Sequence, residues 1–311
     1  MRNQPEIVIL AGGIGPERDV SLATGEALTQ SLSKSFETNT IDLTARSLPS
    51  GLDPARSIVF PAIHGTFGED GTLQLLLEES GFSYAGSDSR SSRLCMDKHQ
   101  SKVSVRNEGV RVSPDLVFSD PIKVNPVQVI EDLGPDLILK PTDQGSGVAL
   151  YVLNGIDELR EALCTLKPGN WMIEKRVFGR EVTIGILGDL TLGIVEVIPI
   201  GGVYDYERKY SAGTTEYRYP AVLTCEVESE LRSFALKAFS ACNCRDFARV
   251  DFMICEDGKG HFLEINTLPG LTATSLLPKS ASCAGYDFDK LTSRLVEPVL
   301  DRFSRGSLLS A

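Results

Sequence analysis

Four side chains near the end of the chain have types and spacings that could do chemistry together. The segments Phe247-Ala248-Arg249-Val250-Asp251-Phe252 and Phe262-Leu263-Glu264-Ile265-Asn266-Thr267 both alternate apolar and polar residues, the pattern of half-buried strands. Between them lies Glu256-Asp257-Gly258-Lys259-Gly260, and Asp-Gly suits a two-residue hairpin turn with positive φ at its centre. With Asp257 and Gly258 as those two residues, pairing runs outward from Glu256 and Lys259. That register sets Asp251 opposite Glu264 and Arg249 opposite Asn266, with all four side chains on one face. Two carboxylates opposed across a ladder repel. A divalent cation removes the repulsion, and an all-oxygen set of Asp251, Glu264 and Asn266 suits Mg2+. The competing reading is a solvated charged face.

The elements that position this hairpin read as alternating strands and helices. Glu6 to Leu10 is an apolar strand, followed by Ala11-Gly12-Gly13-Ile14-Gly15 and a helix to about Lys34, a Rossmann-like opening. The glycines miss the dinucleotide fingerprint spacing. Glu17 stands at the start of that helix, where a carboxylate can simply complement the helix dipole. Ser57 to Ile63 is a second strand ending in His64-Gly65-Thr66-Phe67-Gly68-Glu69-Asp70-Gly71. Ligands in open α/β sheets bind beyond such strand ends, which singles out His64 among three histidines. A second unit starts near Met96-Asp97-Lys98. Its strand Asp136 to Lys140 runs into the glycine-rich turn Pro141 to Val148, whose amides could wrap a phosphate beside Lys140. Trp171 to Val177 is a strand whose apolar residues alternate with Glu174, suited to the wall of a nucleotide pocket. A third unit begins at Glu181. Val203 to Thr215 reads as a lid loop, residues 227–242 as a helix with one apolar face, and the hairpin leads to a final pair of helices.

Composition narrows the function classes. The chain has 311 residues, 42% apolar and 23% charged, enough for two or three cored domains. A net charge of −11 with no basic run argues against nucleic-acid binding. No apolar run reaches membrane-spanning length, and the N-terminus lacks signal-peptide character. The seven cysteines lack zinc spacing, so free thiols in a reducing cytoplasm are expected.

Taken together, six segments resemble the ATP-grasp superfamily and, within it, the D-alanine–D-alanine ligase family. They are Glu17-Arg18-Asp19-Val20-Ser21-Leu22; His64-Gly65 with Gly68-Glu69-Asp70-Gly71-Thr72; Met96-Asp97-Lys98; Lys140-Pro141 with Gly145-Ser146; Tyr204-Asp205-Tyr206 with Lys209-Tyr210; and Glu264-Ile265-Asn266-Thr267 with Pro269-Gly270. The resemblance implies an α/β (α+β) three-domain architecture: an N-terminal Rossmann-like domain over 1–95, a central ATP-grasp subdomain over 96–180 and a C-terminal catalytic domain over 181–311. It implies that Lys98, Lys140 and Lys209 contact ATP phosphates. Glu174 and Glu181 would hold the adenine amino group and ribose, with Lys175 and Val177 completing the ATP site. Asp251, Glu264 and Asn266 would bind two Mg2+ or Mn2+. Glu17, Ser146 and Tyr210 match the family's hydrogen-bonded trio. Glu17 and His64 would lie by the first D-alanine and Arg249, Gly270, Ser275 and Leu276 by the second, with Val20 also binding substrate. The implied reaction is ligation of two D-alanines through a D-alanyl phosphate, for peptidoglycan precursors, in a cytoplasmic enzyme that is a homodimer in the family. Gly147 and Ala248 depart from the family, where many relatives have serine and glycine. A ligase with D-lactate or D-serine as acceptor, a non-catalytic nucleotide-binding protein and a nicotinamide-dependent oxidoreductase are the alternatives.

Overall fold

The computed structural model describes residues 4–145, 149–200 and 213–309. Three sheets organise them. The first is fully parallel, ordered β2-β1-β3-β4, with β1 Glu6–Gly12, β2 Thr38–Leu43, β3 Ser57–Pro61 and β4 Ser83–Tyr84. The near-continuous apolar run of β1 is explained by burial from both faces. Helices α1 (Arg18–Leu32) and α2 (Thr72–Glu79) follow β1 and β3, and α3 (Ser89–Met96) and α4 (Lys98–Asn107) leave the sheet. Asp97 caps α4 by accepting from the amides of His99 and Gln100, both at 3.0 Å, which fixes Lys98 at the first helical position.

The second sheet is antiparallel, ordered β5-β8-β6-β7, with β5 Asp115–Phe118, β6 Asp136–Pro141, β7 Tyr151–Asn154 and β8 Trp171–Lys175. Strand β8 stops at Lys175, so Val177 lies just past it and not on it as expected. Helices α5 (Pro126–Leu133) and α6 (Ile156–Thr165) cover one face through Val129, Leu133, Leu159 and Leu163. The third sheet runs β11-β10-β9-β12-β13, with β9 Arg180–Leu187, β10 Leu190–Pro199, β11 Thr215–Arg218, β12 Phe247–Ile254 and β13 Gly260–Asn266. Helix α7 (Cys225–Ala241) packs on it through Leu231, Phe234, Ala235 and Ala238, the stripe its periodicity predicts. Two final helices, α8 (Leu276–Cys283) and α9 (Phe288–Leu309), close the chain. Helix α9 returns to the first sheet, where Leu291, Leu295, Val296 and Val299 share a core with Ile7, Ile9, Ile58 and Phe60.

The hairpin forms by a different turn from the expected one. Cys255 N–H donates to Lys259 O at 3.0 Å and Gly258 N–H to Cys255 O at 2.9 Å, with Gly258 at φ +81°. The loop therefore holds three residues, Glu256, Asp257 and Gly258, the last in the left-handed region. Such a loop alone moves the pairing by one residue. A bulge between Asp251 and Phe252, with Leu263 as the extra residue, moves it back. Asp251 pairs with Glu264 and Arg249 with Asn266, the register expected from the sequence.

Candidate active site

Two cavities meet behind this hairpin, of about 530 Å³ and about 130 Å³. Lys98 and Glu264 border both. Every expected site residue within the described part of the chain lines one or the other. Ser146, Lys209 and Tyr210 lie outside the described residues, as does most of the expected lid.

The larger cavity is lined by Glu17, Val20 and His64 together with Arg249, Gly270, Ser275 and Leu276. Glu17 occupies the N-cap position of α1, yet its side chain makes no capping bond there and is buried. Helix capping is therefore not what this carboxylate is for. A Cβ on Gly65 would come within 2.6 Å of Glu17 Oε2, so glycine is what lets the carboxylate tuck against that loop. His64 is held on all sides. Its amide donates to Ser21 Oγ at 2.8 Å, Nε2 lies 3.0 Å from Thr24 Oγ1 and Nδ1 lies 3.1 Å from Glu69 Oε1. The loop carrying it packs so closely that a Cβ on Gly68 would stand 1.7 Å from Ile63 O. Across the cavity, the Thr272 amide donates to Ser275 Oγ at 3.1 Å, which shapes the turn into α8.

Ile138, Leu150, Met253 and Leu263 give the smaller cavity an apolar lining, beside Lys98, Lys140, Lys175, Glu174 and Glu181. Lys98 Nζ donates to Gln144 O at 2.6 Å, which ties it to the glycine-rich turn, and lies 3.5 Å from Glu264 Oε2. Lys140 Nζ donates to Glu174 Oε1 at 2.5 Å, and Lys102 Nζ to Glu174 Oε2 at 2.8 Å. Burial pushes the Glu174 carboxyl up, but the two lysines pull it down to about 2. Burial likewise lowers Lys140, and Glu174 more than offsets it, so Lys140 titrates above its ordinary value.

The opposed carboxylates of the hairpin already have cationic neighbours. Arg249 grips Asp251 with two bonds, Nε to Oδ1 at 2.9 Å and Nη2 to Oδ2 at 2.8 Å, and Thr183 Oγ1 also donates to Oδ1. Among the described residues, no group of three or more His, Cys, Asp or Glu is disposed to hold a metal. The set is two carboxylates with the Asn266 amide, an all-oxygen donor set whose chemistry fits a divalent cation also held by phosphate oxygens.

Four polar residues at or behind these cavities were not singled out from sequence: Glu69, Lys102, Asp115 and Thr183. Glu69 stood inside a segment that carries the resemblance, and Lys102 stands four residues after Lys98, hence on the same helix face; Asp115 and Thr183 left no signal.

Residues 109–297 match the family model described as D-ala D-ala ligase C-terminus. The D-alanine–D-alanine ligase of Aquifex aeolicus is 39% identical over 294 residues, covering 93% of this chain and 99% of that protein. That of Syntrophotalea carbinolica is 38% identical over 297 residues, covering 94% of this chain and 95% of that protein. The crystal structure of the D-alanine–D-alanine ligase from Bacillus anthracis complexed with ATP matches with a TM-score of 0.84 at 32% identity, covering 98% of this chain and 99% of that one. With that agreement along nearly the whole sequence, the chain has the ATP-grasp fold and belongs to the D-alanine–D-alanine ligase family.

Proposed function

We infer that the protein joins two D-alanine molecules into D-alanyl-D-alanine at the expense of ATP, through a D-alanyl phosphate, and so feeds peptidoglycan synthesis. The observation that carries this reading is the junction of the two cavities at Lys98 and Glu264. One cavity suits a small zwitterion between Glu17, His64 and Arg249, and the other offers an apolar slot for a base with lysines for its phosphates. A phosphoryl group passing from the second to the first moves past Lys98 and Glu264.

Each group in this reading has a physical task. A carboxylate is a poor electrophile, so the first D-alanine is activated as an acyl phosphate before the second attacks. Lys98 and Lys140 neutralise and position the phosphates. His64, fixed by Thr24 and Glu69, and Glu17 orient the first amino acid. Arg249 faces the oxyanion that develops when the second amine adds. Asp251, Glu264 and Asn266 would hold Mg2+, which supplies charge neutralisation at the transferring phosphoryl group. All seven cysteines are unpaired, which supports a reducing, cytoplasmic setting. A homodimer, implied by the sequence resemblance alone, is checked by light scattering.

The test is phosphate release from ATP with D-alanine, L-alanine, D-serine and D-lactate compared side by side. D-Alanine should dominate and the dipeptide should accumulate. Equal activity with L-alanine would overturn the substrate, and a larger yield with D-serine or D-lactate as acceptor would move the chain to a different ligase.

A further inference from the structure

The metal hairpin is not the only place where two carboxylates face each other across a ladder. Asp115 on β5 is the direct partner of Glu174 on β8, and the two side chains are only 1% and 7% exposed. Opposed like charges in a buried ladder are costly unless something neutralises them. Here the neutralising group is a side chain. Lys102 of α4, itself 1% exposed, lies with Nζ 2.8 Å from Glu174 Oε2 and 3.2 Å from Asp115 Oδ1. The pattern continues outward to Arg106 Nη2, 3.3 Å from Asp115 Oδ1, and to His99 Nδ1, 2.5 Å from Oδ2. Inward it ends at Lys140 on the nucleotide cavity. Arg106, Asp115, Lys102, Glu174 and Lys140 thus alternate in charge from the surface to the site.

We propose that Lys102 is a positioning residue for nucleotide binding: by taking one oxygen of Glu174, it weakens the hold of that carboxylate on Lys140, which sits 2.5 Å from the other oxygen, and so lets the Lys140 ammonium transfer to an ATP phosphate. Lys102 borders neither cavity and touches no substrate site directly. Its effect passes through Glu174, whose two oxygens are divided between Lys102 and Lys140. A buried carboxylate with one ammonium partner forms a tight contact pair, because its whole charge acts on that partner at low dielectric. With two ammonium partners the attraction is shared. The geometry also links the phosphate lysines, since Lys98 and Lys102 are one turn apart on α4, and Lys98 faces the glycine-rich turn while Lys102 faces Glu174. This inference rests on the ATP reading of the smaller cavity.

The experiment compares Lys102→Met, Lys102→Arg and Asp115→Asn with the parent in steady-state kinetics. Lys102→Met should raise KM for ATP about tenfold while KM for D-alanine changes less than about twofold. Lys102→Arg, which keeps a cation beside Glu174, should recover most of that loss. Asp115→Asn leaves Lys102 to Glu174 alone, so its KM for ATP should be no higher than the parent's. Parallel rises in both KM values, no rescue by arginine, or an Asp115→Asn variant as impaired toward ATP as Lys102→Met would each overturn the proposal. Should Lys102→Met fail to fold, a KM for ATP of Asp115→Asn above the parent's overturns the proposal, and one at or below the parent's supports it. A parent without ATP-dependent turnover would instead overturn the underlying ATP reading.

Discussion

Arg249 holds both carboxylate oxygens of Asp251 from two residues away on the same strand, while Glu264, the ladder partner of Asp251, faces Lys98. The repulsion expected from the opposed carboxylates is therefore already answered by protein cations. The two acids differ in what that costs to disturb, since Asp251 is the more deeply buried, at 9% side-chain exposure against 20% for Glu264.

Asp251→Asn and Glu264→Gln should both cut turnover strongly, with the loss measured across a Mg2+ titration. Their stabilities should diverge. Asp251→Asn removes the charge that two bonds from the buried Arg249 guanidinium engage, at a cost of about 3 kcal/mol. Glu264→Gln weakens a longer, more exposed contact with Lys98 and should stay within about 1 kcal/mol of the parent. Urea unfolding without metal separates them, and equal stabilities would refute the asymmetry.

Acid should weaken the fold through Glu174. Its folded pKa, about 2, lies below the ordinary 4.5, so its contribution is fully present above about pH 4.5 and is lost as pH falls toward 2. That contribution is about 3 kcal/mol. Unfolding free energies at about pH 5 and about pH 3 should fall less for Glu174→Gln than for the parent. A parallel fall would show that other carboxylates carry the acid sensitivity.

Gly68 tests the loop that carries His64. Alanine there drives Cβ against Ile63 O, for which no rotamer change can compensate, so Gly68→Ala should cost about 3 kcal/mol and impair D-alanine binding. Gly81→Ala is the control: φ is +75° but the space is open, and only about 1 kcal/mol is expected. Thermal melts of both variants give the comparison.

Glu69→Ala removes the group beside His64 Nδ1 without touching the ring's other neighbour, Thr24. KM for D-alanine should rise about fivefold, equivalent to about 1 kcal/mol of lost orientation, with KM for ATP unchanged. If KM for ATP moves instead, His64 serves the phosphate side of the junction.

The hairpin register was legible in the sequence only because two departures cancel. The Asp-Gly pair points to a two-residue turn, and Leu263 gives no sign that it is a bulge, since an extra residue in a strand looks like any other apolar residue. Strands β1, β3 and β4 of the first sheet and the face of α7 were readable from period and punctuation. Strands β2, β5 and β11 were not: β5 and β11 have four residues each, too few to establish a period, and the exposure of β2 follows no clean alternation. Lys102 is the sharper case. A lysine on a helix of low apolar content reads as solvated, and its burial is set by Asp115 and Glu174 on strands far along the chain.

The return of α9 to the first sheet has a consequence for how the protein is made. Strands β1 and β3 leave the ribosome well before α9, yet the core that buries Ile7, Ile9, Ile58 and Phe60 is completed by Leu291, Leu295, Val296 and Val299. Throughout synthesis the nascent chain carries an apolar sheet face without its last cover. That sheet thus finishes its core only after the two later sheets have been made, and the interval is set by translation speed.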